Sequence, residues 1–459
     1  MWDVAVVGAG FAGISAARRL HDRGHRVVVL EASGRVGGRA QTTQLAGGTV
    51  DLGGQWIGPS QTRMNALLRE HGLTDYPSFT SGRAVVVDGH GRTRRFGPVP
   101  DASLIVGGLA MIPAVLDLAN WRRRLSTAPR RALIDALDQR TVAEWIATRI
   151  PHRGARDLAA AALREVFCVE PSEISLLVLI ESVASSGGLG SVLGFDGGAQ
   201  QDLILEGAGT LVARMAAGLD VRLHSPVHRI DDTATGVVVE AATGAVRARR
   251  ALVAVPPSLG RDIALSPPPD PDLARWLASQ RRGRIVKVIA HYERPFWRDR
   301  GLSGTVLLPH GPAGLATDIS PPSGGGRLCF IAAGRDADHL RGLSDAVRHR
   351  RVLEALVPVL GDETLRPLDV VGKDWTDDPW IRGGYSSIPS PGSSVPPVSF
   401  HPRGHVHWAG TETATEWSGY MEGAVRSGER AADEIVAATR QSRKMSGKSS
   451  ESGVPGTAA

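Results

Sequence analysis

The sequence predicts an α/β fold of two domains, the first built on a parallel βαβ unit and the second α+β. Residues 3–31 alternate a β-branched strand, a glycine turn, an alanine-rich helix and a second β-branched strand, which together form one βαβ unit. A long stretch of helical periodicity follows over about Ser103–Ser186. Strand patterns then return in the segments Val221–Leu223, Gly236–Glu240, Ala251–Val255 and Arg284–Tyr292. With 459 residues, of which 42% are hydrophobic, the chain is long enough for two lobes.

The C-terminal part of the chain predicts a strand, a loop and a helix that begins at about Tyr420. From Gln441 onward, Ser, Gly and Lys without apolar periodicity predict a disordered tail. No internal repeat is evident.

Composition excludes several classes of protein. The two cysteines, Cys168 and Cys329, are far apart and form no metal-binding cluster, so the sequence predicts no disulfide scaffold, no metal site and a reducing, cytoplasmic location. The 53 basic residues outnumber 47 acidic ones, but the densest basic run, Arg122–Arg124 through Arg130–Arg131, lies beside an apolar helical pattern. A solvated helix face explains it better than a nucleic-acid site. Collagen-like and wholly disordered proteins are also excluded.

Targeting signals are not expected either. Trp2–Val7 already predicts a strand, which leaves no room for a removable signal peptide. The longest apolar run, Leu104–Leu116, contains Pro113 and is shorter than the roughly 20 residues of a membrane-spanning helix. We interpret this run as core, with a substrate entrance or a membrane contact as alternatives.

A glycine motif in the first βαβ unit predicts a dinucleotide site. Gly8, Gly10 and Gly13 lie between strand and helix, and Glu31 ends the next strand. Gly8 permits a tight turn, Gly10 lets the backbone approach a pyrophosphate, and Gly13 lets the helix pack on the sheet. Glu31 can accept hydrogen bonds from a ribose. The first domain is therefore expected to be of the Rossmann type.

A second glycine loop indicates which dinucleotide it is. The loop runs from Ala32 to Arg39 with the sequence ASGRVGGR, directly after Glu31, and its arginines can neutralise phosphate. The chain here resembles the flavin-containing amine oxidase family, in which a GRxGGR stretch follows the acidic residue. The resemblance implies FAD as the cofactor, and the two-domain amine oxidase fold with an FAD-binding and a substrate-binding domain.

The resemblance extends from Asp3 to about Thr439. The resemblance implies that the segment Asp51–Pro59 passes beside the flavin ring. It also implies that the backbone of Val227 contacts the adenine. The segment GTETA from Gly410, followed by WSGYMEGA from Trp417, resembles the second FAD signature of the family. Independently, a helix that begins near Gly419 and Met421 would place free N–H groups and a positive dipole end toward a reduced flavin. The predicted cofactor residues are Gly8, Gly10, Gly13, Glu31, Ala32, Arg39, Gly53, Gly54, Gln55, Trp56, Val227, Trp375, Gly410, Glu412, Gly419 and Met421.

From this pattern we expect a discontinuous domain organisation. The FAD-binding domain is assigned residues 1–78, 202–276 and 378–440, the substrate-binding domain residues 79–201 and 277–377, and the tail residues 441–459.

Two tyrosines stand out among the four in the chain. Tyr385 follows Gly383–Gly384 and Tyr420 follows Gly419, so each aromatic ring could approach another flat ring closely. In the monoamine oxidase branch of the family, tyrosines at these positions face each other across the substrate amine. Two ring faces would guide an amine without a carboxylate. Taken separately, each tyrosine could equally be packed in the core.

Lys287 is a rare lysine inside an apolar strand, where an ammonium group is costly to bury. It could face solvent on an edge strand. Together with the downstream Pro295–Trp297, however, it resembles the flavin-facing lysine of the family, which holds a water and assists the reaction with oxygen. We assign Lys287, Tyr385 and Tyr420 as catalytic residues.

The chain also departs from the mitochondrial monoamine oxidases. Gly384 stands where those enzymes carry the cysteine that bonds to flavin, so we expect non-covalent FAD, and we expect no membrane anchor. Gln200 lies in a loop that resembles the one placing a glutamine near the substrate, and Phe167 and Cys168 resemble a cavity-lining pair. Cys168 could instead be ordinary core.

The expected activity is FAD-dependent oxidation of a small amine by oxygen, with an imine, then an aldehyde, and hydrogen peroxide as products. An L-amino-acid oxidase would need an arginine for the substrate carboxylate. A diamine or polyamine oxidase would need an acidic residue at the far end of the cavity, for which Asp318 is a candidate. A flavin-binding protein without turnover is the remaining alternative. We expect a small amine and oxygen as partners, no nucleic acid, and a homodimer.

Overall fold

The computed structural model describes residues 1–88, 91–96, 102–127, 131–393, 400 and 402–451, without the side chains of 102–108 and 442–451. Its strands are β1 (Trp2–Val7), β2 (Val27–Leu30), β3 (Thr42–Leu45), β4 (Gly48–Asp51), β5 (Trp56–Ile57), β6 (Asp75–Pro77), β7 (Arg83–Val87), β8 (Thr93–Phe96), β9 (Asp202–Ile204), β10 (Asp220–Arg222), β11 (Val227–Thr233), β12 (Gly236–Ala241), β13 (Gly244–Val253), β14 (Ala264–Ser266), β15 (Gln280–Arg282), β16 (Ile285–Tyr292), β17 (Leu302–Leu307), β18 (Leu315–Asp318), β19 (Gly326–Ala333), β20 (Asp369–Asp374), β21 (Ser387–Pro389) and β22 (Val406–Trp408).

Its α-helices are α1 (Phe11–His21), α2 (Thr62–Glu70), α3 (Ala102–Thr127), α4 (Arg131–Gln139), α5 (Val142–Arg149), α6 (Arg153–Phe167), α7 (Leu176–Ser185), α8 (Leu189–Leu193), α9 (Ala208–Ala216), α10 (Pro257–Gly260), α11 (Pro271–Ser279), α12 (Arg335–Asp338), α13 (Asp345–Glu354), α14 (Val357–Leu360) and α15 (Met421–Glu451).

The first large sheet has the strand order β10-β2-β1-β13-β12-β11-β14, with β22 also paired to β13. Strand β1 pairs in parallel with both β2 and β13, as the predicted βαβ unit requires. Helix α1 covers one face and packs against α15, where a side chain at Gly428 would overlap the Ala12 carbonyl. The close packing of these two helices fixes the N-terminus of α1 at the end of β1.

The second large sheet has the order β20-β16-β19-β18-β17-β7-β8. Strand β16 lies between β19 and β20, and every residue in it is buried. Lys287 is therefore on an interior strand, which excludes the solvent-facing edge position that the sequence also allowed. The helices α3–α7 form a separate apolar cluster beside this sheet. The strands of the first sheet lie within residues 2–30, 220–266 and 406–408, and those of the second sheet lie within residues 83–96 and 285–374. The exact domain boundaries stay a prediction.

The apolar run in α3 is not entirely core, as the sequence had suggested. Ala114 and Leu118 are buried, but Leu109, Ile112, Val115 and Leu116 are exposed, because this side of the helix has no neighbouring element among the described residues. No helix in the described ranges combines the length and apolar character needed to cross a membrane. Arg122–Arg124 are exposed, as predicted for a solvated face; Arg130 lies outside the described residues.

The predicted tail boundary at Gln441 does not coincide with the end of a helix. Helix α15 continues to Glu451, since the first proline after Met421 is Pro455. Residues 452–459 of the predicted tail lie outside the described part of the chain.

Candidate active site

One long cavity of about 1450 Å³ runs from the first glycine turn to the helices α6 and α7. Its volume exceeds the roughly 300–1,000 Å³ of ordinary small-molecule pockets, so it has room for a dinucleotide and a second ligand. Fifteen of the sixteen cofactor residues predicted from sequence line this cavity; only Gly13, which packs behind the turn, does not.

The first glycine turn has the geometry that the sequence predicts. Gly8 has a φ of +101°, which favours glycine, and a side chain at Gly13 would overlap the Gly8 carbonyl. In front of Gly10 the space is open, since a side chain there would have no neighbour closer than 3.9 Å. No side chain caps the first turn of α1. Its free N–H groups can therefore bind a phosphate.

Glu31 is buried at the end of β2 and binds backbone groups on both sides. Its Oε2 accepts the Ala9 N–H at 2.7 Å, and its Oε1 accepts the Ser33 N–H at 2.8 Å. The carboxylate thus joins the first glycine turn to the loop that begins at Ala32. Val227 lies nearby at the start of β11, since the Ser225 N–H donates to the Glu31 carbonyl at 2.8 Å.

Arg39 forms an ion pair with Glu412, so its charge is not free for a phosphate as the sequence suggested. Nη1 lies 2.6 Å from Oε1 and Nη2 lies 3.2 Å from Oε2, and Nη1 also donates to the Tyr385 carbonyl at 2.8 Å. Burial opposes ionisation of Glu412, but Arg39 and the Ser387 N–H outweigh it and lower the pKa of that carboxyl. The pair therefore connects the second glycine loop, the Tyr385 segment and the C-terminal signature.

The C-terminal signature forms a tight turn before α15. Gly410 and Gly419 have φ values of +141° and +89°, and the Gly419 N–H donates to Thr411 Oγ1 at 2.8 Å. A side chain at Gly54 would lie 3.1 Å from Met421 Sδ, so the Gly53–Trp56 segment passes directly beside the start of α15. Two predicted signatures that are distant in sequence therefore meet in the cavity wall.

Lys287 is 3% exposed and reaches the Gly53–Trp56 segment from β16. Its Nζ donates to Gly53 O at 2.9 Å and to Gln55 Oε1 at 2.5 Å, and lies 5.8 Å from the centroid of the Trp56 ring. Burial lowers the pKa of Lys287, although Cys329 and Asp51 act in the opposite direction. The ammonium group thus lies in the cavity wall, where its only hydrogen-bond acceptors among the described residues belong to this segment.

Trp375 supports the same segment from the side of β20. Its Nε1 donates to Leu52 O at 2.8 Å, and the Lys373 ammonium lies 4.1 Å from its ring centroid.

Tyr385 and Tyr420 both line the cavity, beyond this segment. Burial raises the pKa of Tyr385 well above its ordinary value, and nearby Cys168, Glu165, Cys329 and Tyr420 add to the shift. Burial also raises the pKa of Tyr420 to about 12, against the effect of the Ser186 hydroxyl. Both phenols therefore stay protonated and uncharged at neutral pH.

Two of the three predicted substrate residues face the cavity. Phe167 lines it at the end of α6, and Gln200 lines it with Oε1 shielded from water and without a hydrogen-bond partner among the described residues. Cys168 does not: it is fully buried and packs behind the wall, where a side chain at Gly283 would lie 2.6 Å from its Cβ. The chain turns into the left-handed region at Cys168, with φ of 57°, and this turns the side chain toward the core.

Asp318, the acidic residue suggested from the sequence for the far end of the cavity, does not line it. Asp318 is buried outside the cavity wall, where its Oδ2 accepts from Trp297 Nε1 at 2.7 Å and from Arg298 Nε at 2.8 Å. Glu165 and Glu181, which the sequence analysis missed, line the cavity instead. Glu181 could have been noticed in the sequence, because it is the single ionisable residue in the apolar helix α7.

The cavity fits FAD on its own features. An uncapped helix N-terminus faces the open space at Gly10, and Trp56 Nε1 is a buried donor that no described residue accepts. Gly53 and Gly54 let the same segment pack closely against Arg39 and Met421, since a side chain at either position would overlap or crowd these residues.

Comparison with known proteins agrees with this site. Residues 11–436 match the family model described as flavin containing amine oxidoreductase. Flavin-containing amine oxidase B of Sus scrofa is 34% identical, over 95% of this chain and 86% of its own. An L-amino acid dehydrogenase of Synechocystis is 32% identical, over 95% and 94%. A putrescine oxidase solved with putrescine superposes with a TM-score of 0.88 at 29% identity, over 95% and 99%. The chain therefore belongs to the flavin-containing amine oxidoreductase family and is an enzyme whose cofactor is FAD.

Proposed function

We propose that the enzyme oxidatively deaminates a small primary amine, with oxygen as the acceptor and hydrogen peroxide as a product. The observation that carries this proposal is the pair of uncharged phenols, Tyr385 and Tyr420, in one cavity wall with the buried Lys287. Bound FAD would supply the acceptor for the hydride equivalent that leaves the α-carbon of the amine.

The two tyrosines prepare the amine for oxidation. An alkyl amine with a pKa near 10.4 arrives mostly as the ammonium ion and must lose a proton before it can react. The ring faces attract the cation on entry, while the desolvation that raises the pKa of both tyrosines also favours the uncharged amine.

The paired arginines favour an amine over an amino acid as substrate. Arg39 and Arg382 are the arginines among the described residues that line the cavity. Arg39 binds Glu412, and Arg382 Nη1 lies 3.0 Å from Asp262 Oδ2. Neither guanidinium is left free to bind a substrate carboxylate.

We also propose that FAD is held without a covalent bond. Gly384 offers no nucleophile, and neither Cys168 nor Cys329 lines the cavity. A homodimer and a cytoplasmic location stay predictions, as do the individual roles of the cofactor residues.

A peroxide assay tests the proposed function. Purified protein should be yellow, should lose that colour when benzylamine or putrescine is added without oxygen, and should release peroxide with these amines in air. Phenylalanine is the comparison substrate, and flavin release on denaturation in acid tests non-covalent binding. Oxidation of phenylalanine but of no amine would contradict the proposal, as would a folded protein that binds no flavin.

A further inference from the structure

One lobe of the cavity extends along α6 and α7, away from the tyrosines. Helix α6 ends beside Tyr385, whose backbone N–H donates to the Cys168 thiol. Helix α7 ends at Ser185, whose carbonyl accepts the Trp417 N–H at 3.0 Å, and Ser186 follows beside the Tyr420 hydroxyl. Both helices therefore point their C-terminal ends at the tyrosine pair, and their earlier turns line the rest of the lobe.

The cavity-facing side of α7 has a regular pattern. Its lining residues recur at helical spacing, so they form one stripe; they include Leu177, Val178, Glu181, Ser182 and Ser185. Glu181 is the only ionisable residue of that stripe and lies four residues, about 6 Å along the axis, before Ser185. Apolar residues of α4 and α6, namely Ile134, Leu158 and Ala162, also line the cavity.

Glu181 has no hydrogen-bond or ion-pair partner among the described residues. Its side chain lines the cavity and is accessible to solvent, and the only charge described as acting on it is Asp138, which repels it. Burial and that repulsion raise the pKa of Glu181 to about 7. An unpaired carboxylate in an apolar lobe is costly unless a cation binds to it.

Glu165, the other acidic residue of this lobe, does not offer its carboxylate to a ligand. Both of its oxygens are shielded from water, and a side chain at Gly314 would lie 2.5 Å from its Oε1, so the carboxyl group points into the protein. Within the described part of the lobe, this leaves Glu181 as the single carboxylate that faces the cavity.

We propose that Glu181 binds a second protonated nitrogen of the substrate, at the end remote from the amino group that is oxidised between Tyr385 and Tyr420. The inference rests on the proposed function and deepens it: the preferred substrate is a short, unbranched diamine. One carboxylate matches one cation, and the apolar walls accommodate the methylene chain.

Substrate pairs of equal length test this assignment on the FAD-loaded enzyme. The measurement is kcat/KM for 1,3-diaminopropane, 1,4-diaminobutane and 1,5-diaminopentane, each relative to the unbranched monoamine with the same carbon number. In Glu181→Gln, the ratio for the best diamine should fall by about tenfold or more. In Glu181→Asp, the preference should persist but move toward the longer diamines, because the carboxylate is withdrawn by one methylene.

Asp135→Asn provides the matched control, because Asp135 pairs with Arg131 on the surface of α4 and does not line the cavity. It should keep the wild-type ratio. An unchanged ratio in Glu181→Gln, or an equal fall in Asp135→Asn, would overturn the inference while leaving amine oxidation intact.

A binding measurement separates failure of this inference from failure of the proposed function. Calorimetric titration of the FAD-loaded protein with 1,4-diaminobutane requires no turnover. If the wild type oxidises no amine but binds the diamine through Glu181, the proposed reaction is wrong and the subsite stands. If binding is the same in wild type and Glu181→Gln, the subsite is wrong.

Discussion

At the scale of a single residue, Lys287 illustrates what a charge needs in order to lie inside an apolar strand. Lys287 is only 3% exposed in the second sheet, so its ammonium group is almost fully withdrawn from bulk water. The Gly53 carbonyl and the Gln55 side chain replace that water with two hydrogen bonds. Because both acceptors lie in the cavity wall, the charge is held beside the space that a bound cofactor would fill.

Replacing Lys287 with Met tests that role. We expect FAD to remain bound and its reduction by an amine to proceed, while reoxidation by oxygen slows by about tenfold or more, equivalent to about 1.4 kcal/mol. Stopped-flow measurement of the two half-reactions separates these effects. The control is Lys373→Met, since Lys373 binds Asp378 and Gln41 and does not line the cavity. Equal reoxidation rates in Lys287→Met and wild type would remove the proposed role.

Glu181 makes a second prediction at this scale, in the absence of any amine. Its pKa is raised to about 7 from its ordinary 4.5, so the folded protein holds this proton more tightly than the unfolded chain. The stabilisation is present at acid pH and is lost as the pH rises from about 4.5 to about 7. Thermal unfolding should therefore show a Tm gain for Glu181→Gln that is absent near pH 4.5 and reaches about 1 °C or more above pH 7. A gain that does not vary with pH would contradict the raised pKa.

At the scale of elements, local signals predicted more than long-range ones. The bounds of β1 agree with the sequence prediction, and α15 begins at Met421, one residue from the predicted start. Both were predictable because β-branched runs and glycine turns determine the structure of residues that are close to them in sequence. The pairing of Arg39 with Glu412 was not, because it joins residues 373 positions apart and depends on how α15 meets the second glycine loop.

The packing of α1 on the first sheet depends on Gly13. A side chain there would overlap the Gly8 carbonyl, so Gly13→Ala should displace the helix from β1. We expect the free energy of unfolding to fall by about 1–3 kcal/mol and the affinity for FAD to fall with it. Urea unfolding and FAD titration measure the two effects. Gly190→Ala is the control, since a side chain at Gly190 meets no atom within 4 Å.

The Arg39–Glu412 pair should behave as a structural connection between elements. Glu412 is 4% exposed in this pair, so Arg39→Met would leave a buried carboxylate without its counterion. We expect a loss of about 3 kcal/mol in the free energy of unfolding, with partial recovery in Arg39→Lys, which keeps the charge but not both hydrogen bonds. Urea unfolding of the FAD-free proteins measures it. If Arg39→Met is as stable as the wild type, the ion pair contributes nothing to the free energy of unfolding.

At the scale of the whole molecule, the cavity is built from both large sheets and from the helices α4, α6 and α7. The two tyrosines, Lys287 and the glycine segments could be predicted to belong to one site, because each matches a motif that the sequence shares with the amine oxidase family. The sequence could not predict which acidic residue faces the cavity: Asp318 is hydrogen-bonded by Trp297 and Arg298, whereas Glu181 has no such partner in the described part of the chain. The rotation of a helix about its axis is set by packing against its neighbours, and an almost uniformly apolar helix such as α7 does not encode it.

Because a bound cofactor would contact residues from both large sheets, its binding should stabilise the molecule as one unit. At an FAD concentration 100-fold above Kd, linkage predicts about 2.7 kcal/mol of added stability. We expect the Tm of FAD-free protein to rise with FAD concentration, and a protease to cut both the α3–α7 region and the first sheet more slowly. FMN, which lacks the adenylate half that would reach Glu31 and Val227, should stabilise less at equal concentration. Calorimetry with either ligand and limited proteolysis followed by mass spectrometry measure these effects. Slower proteolysis of the first sheet alone would contradict a cofactor site that is shared by both parts of the molecule.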